Sequence, residues 1–179
     1  MKIFAVFCLG LVSITLSAAP IIIPAPPQLA TEGHILLDAA TGTVLVEQNS
    51  EVRLPPASLT KIMTSYITAS EIEQGRIALD DEVPISVKAW KTGGSRMFVR
   101  EGTDVKVSDL IRGIVVQSGN DASVAMAEFI AGDETAFADI MNQMAARLGM
   151  ENSEFRNATG LPDDSHYTTA RDLSVLATA

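Results

Sequence analysis

Ser58 and Lys61 are the first residues in this sequence whose types and spacing could do chemistry. They stand three positions apart in Ser58-Leu59-Thr60-Lys61, directly after Pro55-Pro56, where a helix-forming segment begins. Residues i and i+3 share one face of a helix. The lysine amine can therefore come within hydrogen-bond reach of the serine hydroxyl. A serine hydroxyl is a weak nucleophile until a base takes its proton, and a neutral amine can be that base. The start of a helix adds a positive field that favours an oxyanion or a carboxylate. With 14 serines and 5 lysines in 179 residues, on the order of 0.4 Ser-x-x-Lys matches arise from composition alone. The bland alternative is a capping serine and a solvated lysine.

A second cluster is Ser118-Gly119-Asn120, between two apolar segments. A hydroxyl and an amide presented from one tight turn could share a cleft. The serine could relay a proton, and the amide could hold a substrate carbonyl or the lysine. The alternative here is a helix break in which Ser118 or Asn120 caps the helix starting at Asp121.

Particular elements must position these residues. Gly33 to Gln48 reads as a hairpin, with apolar runs Ile35–Leu37 and Val44–Val46 around an Ala40-Thr41-Gly42 turn. The spacing of Leu59, Ile62, Met63, Tyr66 and Ile67 predicts a helix from about Ala57 to Gln74, stopped by Gly75. Ile77 to Gly102 is an irregular polar excursion with a β-like piece at Val83-Pro84-Ile85. Helices are predicted over Leu110–Gln117, capped by Ser108-Asp109, then over Asp121–Ala131, Glu134–Leu148 and Thr169–Ala179. Trp90 and Met97 are expected to pack under the excursion. Arg96 and Arg100 read as solvated, and Asp121 as a helix-dipole partner. His166 is expected to order the start of the last helix.

Read together, these segments resemble the low-molecular-weight penicillin-binding proteins, the serine D-alanyl-D-alanine carboxypeptidases. Pro56-Ala57-Ser58-Leu59-Thr60-Lys61-Ile62-Met63-Thr64 is similar to that family's nucleophile segment, and Ser118-Gly119-Asn120-Asp121-Ala122 to its second motif. Phe155-Arg156-Asn157-Ala158-Thr159-Gly160-Leu161-Pro162, followed by Thr169-Ala170-Arg171-Asp172-Leu173, resembles a further stretch. The resemblance covers about 33–179. It implies an α/β (α+β) fold of the serine β-lactamase and penicillin-binding transpeptidase type, a helical cluster with an antiparallel sheet. It implies Ser58 as nucleophile, Lys61 as general base, Ser118 as proton relay and Asn120 as a substrate contact. The substrate would be a peptidoglycan stem peptide, β-lactams would acylate the same serine, and no cofactor or metal is required. The family's third motif, Lys-Thr-Gly, lies on a strand after the second. Lys91-Thr92-Gly93 precedes Ser118 in a glycine-rich stretch and is read as a coincidence in a loop. The expectation is therefore a catalytic domain whose C-terminal strands lie beyond residue 179, with this stretch inactive by itself. A C-terminal membrane anchor is expected to lie beyond it as well.

Lys2, an apolar run from Ile3 to Leu16, and the small residues Ser17, Ala18 and Ala19 read as a signal peptide over 1–19. Residues 20–32 then form an extended, proline-rich lead-in. Export to the periplasm or the outer face of the cytoplasmic membrane is expected. The only cysteine, Cys8, falls in the signal segment, so thiol catalysis and Cys-ligated metals are excluded. Two histidines, His34 and His166, are too few and too distant for a His-rich zinc site. A formal charge of −9 without basic clusters argues against nucleic acid. The competing readings are a D,D-endopeptidase on the same fold, a class A β-lactamase, and an inactive remnant. The β-lactamase reading needs a glutamate after the second motif, and neither Glu151 nor Glu154 has the expected surroundings.

Overall fold

The computed structural model describes residues 25–179; the expected signal segment and the first residues of the lead-in lie outside them. The hairpin forms as β1 (His34–Leu37) antiparallel to β2 (Val44–Gln48), with Leu36 opposite Val46. Its turn falls on Ala40-Thr41-Gly42. The Asp38 carboxylate accepts the Ala40 and Thr41 amides, and Gly42 takes φ 69°, a left-handed value that glycine adopts without a Cβ penalty.

The predicted helix over 57–74 is divided. Ala57–Leu59 is a 3₁₀ turn, and α1 proper runs Thr60–Glu73. The excursion contains β3 (Glu82–Pro84) and a short α2 (Val87–Lys91); β4 (Asp104–Lys106), just after it, pairs antiparallel with β3. α3 (Val107–Gln117), α4 (Asn120–Ala131), α5 (Glu134–Leu148) and α6 (Ala170–Thr178) complete the described residues. Ser108-Asp109 does not cap α3 as predicted. The helix starts three residues earlier than predicted, at Val107, its cap position is Lys106, and Asp109 pairs with Arg112 at 2.8 Å. Caps that do form are Ser86 on α2, accepting the Ala89 amide, Asp133 on α5, accepting the Thr135 and Ala136 amides, and Thr169 on α6, accepting that of Asp172.

Two apolar clusters meet on α4. One gathers Val83, Ile85, Val107, Leu110, Ile114, Val124 and Met126; the other Met63, Ile67, Phe137, Met141, Phe155 and Leu176. Ala122, Ser123, Ala125 and Ala127 of α4 are essentially inaccessible. Their small side chains let α1, α2, α3 and α5 all approach this one helix.

α1 buries Met63 and Ile67 as its apolar spacing predicts, but Leu59 and Ile62 of the same stripe stay outside. Leu59 is 52 % exposed and Ile62 38 %, while Thr60, Thr64 and Thr68 are buried. The threonines can be inside because their hydroxyls are satisfied. Thr64 donates to the Ala158 carbonyl and Thr68 to that of Thr64, both at 2.8 Å. Lys61 lies on this buried side.

Candidate active site

Ser58 lies on the exposed 3₁₀ turn that feeds α1. It does not cap the helix: α1 starts at Thr60, and its cap position, Leu59, makes no side-chain cap bond. Its hydroxyl instead faces Lys61, whose Nζ lies 3.4 Å from Ser58 Oγ. Ala57, just before it, has φ 47°, a left-handed conformation that costs a non-glycine residue about 1–2 kcal/mol. The turn at Ser58 is therefore strained.

Lys61 is 5 % exposed and has a second, shorter contact: Nζ donates to the Thr159 carbonyl at 2.7 Å. No acidic partner pairs with it among the described residues. Burial disfavours the ammonium and pulls its pKa from 10.5 down to about 8. A lysine in that range is poised to accept a proton near neutrality.

The segment carrying Thr159 is a tight turn built on Asn157. Asn157 Oδ1 accepts from Thr159 N at 3.1 Å, Thr159 Oγ1 at 2.9 Å and Gly160 N at 2.7 Å, and its amide donates to Leu161 O at 3.0 Å. Sequence reasoning missed both residues. The turn's only visible signal was its place in a stretch that resembles the family. Gly160 has φ 82°, and a Cβ there would run into the Ala57 carbonyl oxygen. Gly160→Ala is expected to cost roughly 2 kcal/mol or more and to displace the Ser58 turn. Urea denaturation measures the first effect, and the rate of serine acylation the second.

His166 also departs from expectation. It is buried and clamps the two sides of the site rather than ordering α6. Its Nδ1 accepts the Arg156 amide at 3.2 Å, so Nε2 carries the proton and donates to Thr60 Oγ1 at 2.8 Å. Its ring meets Phe155 edge-on. Burial lowers its pKa below 6.5, and nearby Asp163 opposes this in part. The unfolded chain therefore takes up this proton first. The clamp's contribution is complete above pH 6.5 and is lost as pH falls from there through the lower folded value. Urea midpoints between pH 7.5 and 5 should fall more steeply for the native protein than for His166→Gln. Equal slopes would count against the clamp.

Ser118 ends α3 in a left-handed conformation, φ 52°. Its hydroxyl has no protein partner among the described residues, and neither it nor Asn120 caps α4, whose cap position is Gly119. Ser58, Lys61 and Ser118 line one cleft of about 310 Å³ together with Ile62, Ser65, Ile114 and Val115. Asn120 is beside this cleft rather than in its lining. It is buried, and its Nδ2 donates to the Gly93 carbonyl at 2.8 Å. Lys91-Thr92-Gly93 runs off the end of α2 into a loop, as expected, and takes part only through that carbonyl. Met97 packs against the core, but Trp90 is 41 % exposed, contrary to expectation. A larger cavity of about 580 Å³ lies behind the Ser58 turn, between Pro55-Pro56 and Gly160–Asp164. It holds neither serine nor Lys61. Glu151 and Glu154 do not line the serine cleft; Glu154 pairs with Arg156 at 3.3 Å.

This architecture is that of the serine penicillin-binding D,D-peptidases, helices with small antiparallel sheets. The D-alanyl-D-alanine carboxypeptidase DacD from Francisella tularensis matches it with a TM-score of 0.87 at 48 % identity, over 90 % of this chain and 39 % of that one. The chain belongs to the D-alanyl-D-alanine carboxypeptidase family, whose model matches residues 21–179. It is 46 % identical over 163 residues to D-alanyl-D-alanine carboxypeptidase DacA of Escherichia coli K12, 88 % of this chain and 40 % of the relative. A D-alanyl-D-alanine endopeptidase of Pseudomonas aeruginosa is 31 % identical over 158 residues, 88 % of this chain and 49 % of the relative. The chain thus spans less than half the length of these relatives.

Proposed function

We propose that the complete gene product is a serine D-alanyl-D-alanine carboxypeptidase acting on peptidoglycan stem peptides. The observation that carries this reading is the buried Lys61 amine, 3.4 Å from the exposed Ser58 hydroxyl, with Ser118 in the same cleft. Ser58 Oγ attacks the carbonyl of the penultimate D-Ala as Lys61 takes its proton. The C–N bond breaks, its electron pair stays on nitrogen, and the terminal D-Ala leaves with a proton delivered by Ser118. Ser118 regains one from the Lys61 ammonium. Water then hydrolyses the ester on Ser58. A β-lactam carbonyl meets the same serine and acylates it. Asn120 supports the substrate only through what its bond to Gly93 leaves free, Oδ1 and its second N–H. These steps need neither metal nor organic cofactor. The substrate would lie outside the cytoplasmic membrane; a signal segment over 1–19, a catalytic domain from residue 33 onward and membrane association through a C-terminal anchor are part of the same proposal.

A D,D-endopeptidase is the second reading, favoured by the likeness to the Pseudomonas enzyme. Mass spectrometry on the complete gene product separates the two. Penicillin should add its mass to the Ser58 peptide, and a D-Ala-D-Ala peptide should release free D-Ala. Cleavage of cross-linked peptide without D-Ala release would favour the endopeptidase. A folded protein left unmodified at Ser58 would sink both.

A further inference from the structure

Asp121 does not serve the purpose its position suggests. At the start of α4 it reads as a dipole partner, yet it is 1 % exposed and pairs with no cation among the described residues. Its carboxylate accepts four backbone amides: Met97 at 3.0 Å and Ala122 at 2.9 Å on Oδ1, Phe98 at 2.8 Å and Val99 at 3.1 Å on Oδ2. Three of these belong to the loop that wraps the Ser118-Gly119-Asn120 turn. The same loop accepts the Asn120 amide on the Ser95 carbonyl at 2.7 Å and the Asn120 side chain on the Gly93 carbonyl. Ser95 Oγ also donates to the Gln117 carbonyl at 2.7 Å. The loop is itself strained: Phe98 has φ 67°, a value a bulky side chain adopts only when its surroundings enforce it.

We propose that Asp121 is a positioning residue for proton delivery to the leaving group. Its carboxylate holds residues 97–99, with Phe98 in its left-handed conformation. That loop holds the turn, and the turn aims Ser118 Oγ into the cleft. Charge-assisted bonds from a carboxylate to backbone amides are stronger than neutral ones, which suits an element that must keep a left-handed Ser118 in place. The inference rests on Ser118 acting as the relay.

Leaving-group dependence tests it. An amide nitrogen must be protonated to depart, whereas a thiolate departs without a proton. In the complete protein, Asp121→Asn should lower turnover of a D-Ala-D-Ala amide by roughly 10–100-fold and that of a matched thiolester by no more than about threefold. Ser118→Ala should show the same split, and the double variant should lose no more than Ser118→Ala alone. Equal losses on both substrates for Asp121→Asn, or additive losses in the double variant, would overturn the proposal. If Ser118→Ala shows no split, the relay reading itself fails. Should Asp121→Asn not fold, the exposed Ser95→Ala, which releases the same loop from Gln117, takes its place. A smaller split towards the amide supports the proposal, and none overturns it.

Discussion

Ser58→Ala is expected to abolish covalent labelling of the complete protein by penicillin, and Lys61→Ala to slow it by about 10⁴–10⁶-fold. The first result follows because, among the described residues, no other hydroxyl has a buried amine at 3.4 Å. The second follows because nucleophile and base act as a unit. Without the amine, Ser58 keeps its proton near neutrality and its oxygen stays a poor nucleophile. The double variant should be no worse than either single one, since their losses are not additive. Intact-mass spectrometry after timed exposure reads all three, with circular dichroism to confirm that each is folded. Lys61→Ala labelling at a native rate would remove lysine from the mechanism.

The rate of Ser58 acylation should fall about tenfold for each pH unit below about 8 and level off above it. Burial sets this limb by lowering the Lys61 pKa to about 8. Only the neutral amine accepts the serine proton, so rate follows the deprotonated fraction. Between pH 8 and pH 6 the expected loss is therefore about fiftyfold. The Thr159 carbonyl at 2.7 Å works in the opposite sense, since it stabilises the ammonium, and burial outweighs it. Stopped-flow acylation by a chromogenic β-lactam across pH 5.5–9.5 measures the limb. A flat profile across that range would mean that Lys61 is not the base.

The residues that carry the proposed chemistry were legible because short spacing on a helix is a local property. Ser58 and Lys61 share a face wherever a turn of helix forms. The Ala40-Thr41-Gly42 turn was legible for the same reason, since Asp38 and Gly42 settle it within a few residues. The face that α1 buries was legible only in part: Met63 and Ile67 are in the core as their spacing predicts. Apolar periodicity also pointed to Leu59 and Ile62, yet these stay exposed and three threonines go inside. Acceptors that satisfy them include the Ala158 carbonyl, 94 residues away from Thr64. Nothing near Thr64 in the chain announces that acceptor.

His166 and Asp121 show the same limit. Each looked like a local helper of the helix beside it. Tertiary contacts gave His166 a partner 106 residues away, in Thr60, and gave Asp121 three amides from a loop 22–24 residues earlier. The sequence by itself determined the family, the order of the hairpin and the longer helices, and the serine–lysine pair. Only the tertiary structure decided that Lys61 is buried against the Thr159 carbonyl and that Ser118 shares its cleft while Asn120 is tied to Gly93. The physical reason is that a pKa and a cleft are set by which distant groups exclude water from a side chain, and residue spacing along the chain carries no record of that.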